Sequence, residues 1–94
     1  MEVWIDLTLP PTASLPRADR DGRAALHRRI VAQQDEVMAQ LARLGAVERA
    51  RVQHARNALA VRIPATALDR ARAIPGVRGV QLVRHLQRSM PQGR

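Results

Sequence analysis

The 94-residue chain has no cysteine, no phenylalanine, no tyrosine and no lysine, and it has one tryptophan. Without cysteine there is no disulfide, no thiolate metal site and no cysteine nucleophile. With Trp4 as the single ring residue, the large aromatic contribution to a core is nearly absent. Hydrophobic residues make up 46% of the chain, but sixteen of them are Ala, each of which buries little area. The expectation is one domain with a modest core and marginal stability in isolation. A partner that binds only the folded form raises that stability by mass action. No apolar run approaches the roughly 18 residues needed to span a bilayer. Met1 leads directly into a strand-like segment, so no signal peptide is expected within this chain.

All sixteen basic residues are Arg, against eight Asp and Glu, for a net charge of +8. A basic balance points to nucleic acid, anionic lipid or an acidic protein surface. Lys-free, Ala- and Arg-rich usage is also what GC-rich codons produce, and the Arg residues are dispersed rather than clustered.

The segment EVWIDLTL (2–9) alternates with a period of two, placing Val3, Ile5, Leu7 and Leu9 on one face and Trp4, Asp6 and Thr8 on the other. That pattern predicts a half-buried strand. The next segment, 10–22, holds three Pro and reads as a loop, with Asp19 or Asp21 as the helix N-cap. From about Arg23 to Leu44, the residues Leu26, Ile30, Val37, Leu41 and Leu44 form one stripe along a long helix. Gln33 or Gln34 interrupts the stripe, so a side-chain amide is expected at the core boundary. Gly45 stands where a helix end favours a left-handed residue.

ERARVQHAR (48–56) predicts a weak strand. Asn57-Ala58 reads as a tight antiparallel connection into ALAVRI (58–63), where Leu59, Val61 and Ile63 alternate. A second helix over 64–74 turns Leu68 and Ala71 inward and stops at Pro75-Gly76; VRGVQLVR (77–84) is the last strand. The order β-α-β-β-α-β, with each helix crossing between strands expected side by side and parallel, predicts an α+β, ferredoxin-like domain. Its four-stranded antiparallel sheet carries two helices on one face.

Chemistry is hard to place on this chain. Ser14 and Ser89 lie in irregular segments, and His27, His54 and His85 are scattered over a helix, a weak strand and the end of the last strand. No nucleophile has a base and an orienting group at supporting spacing, and three separated His make a poor metal site. His27 and His85 read as solvated, and His54 as partly buried. No catalytic residue, metal or cofactor is expected. The sheet face away from the helices should instead present Trp4, Ala58, Ala60, Arg62, Gln81 and Val83. Small apolar residues there suit the close approach of another protein. Residues after Arg84 have no periodicity and predict no regular element.

The run NALAVRIPATALDRARAIPGVRGVQLVRH, with its Pro-Gly-Val-x-x-Val element at 75–80, resembles the C-terminal half of the subtilisin propeptide (peptidase inhibitor I9) family. RRIVAQQDEVMAQLARLGA is similar to that family's first helix, and VWIDL to its opening strand. Ala71 departs from the pattern, since the family usually has a larger apolar residue there. The resemblance covers about residues 2–86. It implies a propeptide/inhibitor domain (1–86) followed by an extended tail (87–94), secreted by a bacterium and monomeric when free. The partner would be a subtilisin-like serine protease, met in cis as a propeptide or in trans as an inhibitor. The open sheet face would dock on the enzyme, burying about 1,600 Å2 in total together with the tail. The segment His85, Leu86, Gln87, Arg88, Ser89 and Met90 would enter the cleft like substrate, by β-augmentation. The alternative from another class is an RNA- or single-strand-binding module on the same fold. A single ring for stacking makes it the lesser reading, so neither nucleic acid nor membrane is expected as a partner.

Overall fold

The structure, a computed structural model, describes residues 1–83. The expected tail segment 85–90 and the boundary at 86/87 lie outside the described residues. Six elements follow in order: β1 (Glu2–Leu7), α1 (Arg20–Arg43), β2 (Val47–Val52), β3 (Ala58–Arg62), α2 (Leu68–Arg72) and β4 (Val77–Leu82). The strands form one antiparallel sheet in the order β2-β3-β1-β4. This is the expected α+β, ferredoxin-like arrangement, with one correction. The strands joined by each helix are not side by side: β3 lies between β1 and β2, and β1 lies between β3 and β4. Each inserted strand runs antiparallel to both neighbours, which is how two crossovers coexist with a wholly antiparallel sheet.

The period-two pattern is realised on β1 and β3. Val3, Ile5 and Leu7 on β1, with Leu59 and Val61 on β3, are buried against Val37 and Leu41 of α1 and Ala71 of α2. Both helices therefore cover the same face. Leu9 falls beyond β1 and is half-buried. Asp19 caps α1, its carboxylate accepting from the Gly22 backbone N–H at 2.9 Å, which satisfies one of the free donors of a first helical turn. Gly45 ends the helix at φ 90° and Gly76 turns into β4 at φ 96°; both values lie where only Gly is unstrained.

Leu26 and Ile30 are buried as expected but lie outside the main core cluster. They sit on the half of α1 that meets the short 3-10 turn Thr12–Ser14. Arg23 clasps that loop, donating from Nε and Nη2 to the Leu15 carbonyl at 3.1 and 2.8 Å. The second helix is shorter than its pattern suggests: a 3-10 turn over Ala65–Ala67 leads into a single α-turn, and Thr66 makes no cap.

Candidate functional site: the uncovered sheet face

The sheet face away from the helices is built by the residues that alternate with the core. In register they are Trp4 beside Ala60 and Gln81, Asp6 beside Ala58 and Gly79, Glu2 beside Arg62, Ala50 beside Ala60, Val52 beside Ala58, and Val47 beside Arg62. Val83 continues the face beyond β4, its backbone N–H donating to the Glu2 carbonyl at 3.1 Å. Of the expected face residues, Arg62 and Gln81 are exposed, and Trp4, Ala60 and Val83 half-buried. Ala58 is the correction, being fully buried and offering no surface. It lies opposite Asp6, to which the Arg56 side chain reaches back from the loop before β3.

That reach creates the most ordered feature of the face. The Arg56 guanidinium donates from Nη2 to Asp6 Oδ1 at 2.6 Å and stands 4.7 Å from the centroid of the Trp4 ring. Asp6 is only 4% exposed, so its charge depends on Arg56 for neutralisation. The ring in turn holds the guanidinium by a cation–π contact. The alternation pattern does not reveal this triad, because Arg56, expected at the end of a strand over 48–56, lies instead in the loop before β3. One signal was available: Asp6 is two residues from Trp4, hence on the same face of β1.

The loop bearing Arg56 is not the tight Asn57-Ala58 turn that the sequence suggests. β2 ends at Val52, opposite Ala58, and residues 53–57 form a five-residue connection. Asn57 is buried instead of turning the chain. Its amide donates to the Leu9 carbonyl and to Gln33 Oε1, both at 3.1 Å, and its Oδ1 accepts from Gln34 Nε2 at 3.0 Å. Gln34 is fully buried rather than at the core boundary; it also donates to the Val52 carbonyl and accepts from Gln53 Nε2. Gln33 donates to the Thr8 hydroxyl. Two consecutive helix amides thus pin both loops that frame this end of the sheet.

Those loops also pair with each other. Thr12 and Ala13 donate backbone N–H groups to the carbonyls of Gln53 and His54, and Thr12 Oγ1 lies 3.0 Å from His54 Nδ1. His54 is exposed in this loop, not part of a strand, and His27 is exposed on α1. Beside Trp4 the loop leaves an open groove of about 470 Å3, lined by Val52, His54, Ala55 and Arg56. Among the described residues no three His, Asp or Glu side chains converge on one point, and no helix is long and apolar enough to cross a membrane.

On the helical side, Arg51 donates to both oxygens of Glu48 at 2.7 and 2.8 Å and to Asp35 of α1 at 2.9 Å. The hydrogen bonds from Arg51 hold the Glu48 carboxyl below its ordinary value. The same pairing pushes the Arg51 guanidinium pKa up. This cluster ties the edge strand β2 to α1.

Compared with known proteins, the chain matches no family model, no curated protein and no solved structure.

Proposed function

We propose that this chain is a propeptide-type inhibitor and intramolecular chaperone of a subtilisin-like serine protease. The uncovered sheet face docks on the enzyme, and the segment His85 to Met90 enters the active-site cleft in the manner of substrate. The observation that carries this reading is the contrast between the two sides of the sheet. One side is closed by both helices; the other is floored by Ala50, Ala60 and Gly79 around a single half-buried ring. Small side chains let a partner's backbone come close, and one ring among them is the usual composition of a binding anchor. β4, the last strand, lies at an edge of the sheet. Val83, the last described residue, stands at that edge, the part of a sheet open to pairing with a strand of another protein.

Nucleic acid is the weaker reading. Base stacking needs a free ring face, and Arg56, itself bound to Asp6, stands over the only ring.

Titration of subtilisin with the full chain in a chromogenic peptide assay should show inhibition. Deleting residues 85–94 should abolish that inhibition while leaving the circular dichroism spectrum folded. Absence of inhibition by the full chain would overturn the reading. So would binding of single-stranded oligonucleotides with a steep salt dependence in place of inhibition.

A further inference from the structure

We infer that the uncovered face selects an acidic partner surface, one that sets an aliphatic side chain in the groove beside Trp4 and a carboxylate on Arg62. The inference rests on the reading of this face as a protein-docking surface. Its first support is charge. Among the described residues the face carries three guanidinium groups, on Arg49, Arg56 and Arg62, against two carboxylates, on Glu2 and Asp6. Asp6 is committed to Arg56, and Glu2 has Arg49 at 3.9 Å. However the remaining contacts are shared, one positive charge on this face has no acidic counterpart, and Arg62 is exposed. A basic partner patch would meet net repulsion here, and an acidic one attraction.

The second support is the shape of the face. Trp4 forms a wall on the central strand β1, and the floor beside it is Ala60 on β3 and Ala50 on β2. With strands about 4.8 Å apart, this floor is roughly 10 Å wide, enough for one helix or extended segment. At one end the groove of Val52, His54 and Ala55 accepts an apolar side chain. At the other end Val47, 57% exposed, lies beside Arg62. The apolar and cationic subsites are therefore separated by the strand length from Ala58 to Arg62 and from Val52 to Val47, on the order of 15 Å. Arg56, held by Asp6 and Trp4, keeps the wall between them fixed in the free protein, so little side-chain entropy is lost on binding.

The test uses the full chain and a capped helical peptide with two Leu on one face and two Glu farther along that same face. The control is the same peptide with Lys in place of Glu. Nuclear magnetic resonance titration should give saturable shifts of the Trp4 indole N–H with the Glu peptide. Affinity for the Lys peptide should be at least roughly tenfold weaker, and binding of the Glu peptide should weaken as salt rises. Trp4→Ala should lower affinity for the Glu peptide roughly tenfold. Arg62→Glu, a change at an exposed position, should reverse the preference so that the Lys peptide binds better. Equal affinity for both peptides, no saturable shift, or an unreversed preference in Arg62→Glu would overturn the inference. If the peptide results hold while subtilisin is not inhibited, the face selects acidic surfaces but the protease reading fails.

Discussion

Asp6 is a carboxylate almost removed from water in the middle of a sheet, and a single Arg side chain keeps it tolerable. Truncating Arg56 leaves that charge buried and unpaired, a change that is costly even when one partner is partly solvated. The Arg56 side chain is 39% exposed, so the expected loss for Arg56→Ala is about 2 kcal/mol rather than the full value for a deeply buried pair. Asp6→Ala combined with Arg56→Ala should be less destabilised than Arg56→Ala alone, since the orphaned charge is gone. Urea denaturation reads both, and Trp4, the sole fluorophore of its kind in the chain, should shift its emission to the red once its cation is removed. Equal midpoints for Arg56→Ala and the double variant would mean that Asp6 left without its cation carries no penalty in the folded protein. The Trp4 position was legible from alternation along β1. The Arg56 contact was not, because it joins residues 50 apart and leaves no local pattern.

At the scale of elements, the legible parts are those whose burial repeats with a period. β1, β3 and the α1 stripe each expose one face to the core, so their sequences alternate or step by three and four. The connection 53–57 has no such period. Its path is fixed by Gln33 and Gln34, more than eighteen residues away, whose amides satisfy Asn57 and the Val52 carbonyl. An Asn read by its neighbours alone looks like a turn residue, whereas here it is the centre of a buried network. Gln34→Leu keeps approximate volume but strands the Val52 carbonyl, Asn57 Oδ1 and the Gln53 amide. Losing a fully connected set should destabilise by about 3 kcal/mol and loosen the loop that carries Arg56, visible as faster amide exchange at residues 53–57. Unchanged exchange there would show that the loop is held by its backbone pairing with Thr12 and Ala13 instead. The edge strand β2 has a different tether, Arg51 bridging Glu48 and Asp35. Glu48 is a stronger acid when folded than its ordinary 4.5. Its stabilising contribution is therefore complete above about pH 4.5 and fades as the pH falls through the lower folded value. With these side chains 24–34% exposed, the effect is on the order of 0.5 kcal/mol. Glu48→Gln should be slightly less stable than the parent at pH 7, and the difference should shrink in acid. A difference that stays constant would remove Glu48 from the acid response.

At the scale of the whole molecule, the asymmetry of the sheet permits a test that separates folding from docking. Gly79 lies on β4 opposite Asp6, on the uncovered side, and a Cβ added there meets nothing within 4 Å. Leu at this position gains strand propensity and creates no clash inside the domain. Gly79→Leu should therefore fold with stability within about 0.5 kcal/mol of the parent. Against a partner lying flat on this face, the same side chain is a wedge at the level of Asp6 and Arg56. It should raise the inhibition constant for subtilisin at least roughly tenfold. Ala39, exposed on the far side of α1, supplies the control: Ala39→Leu adds comparable bulk and should leave inhibition unchanged. If Gly79→Leu inhibits like the parent while Ala39→Leu does not, the partner meets the helical layer, and the uncovered sheet is only a solvated surface whose small residues have no docking role.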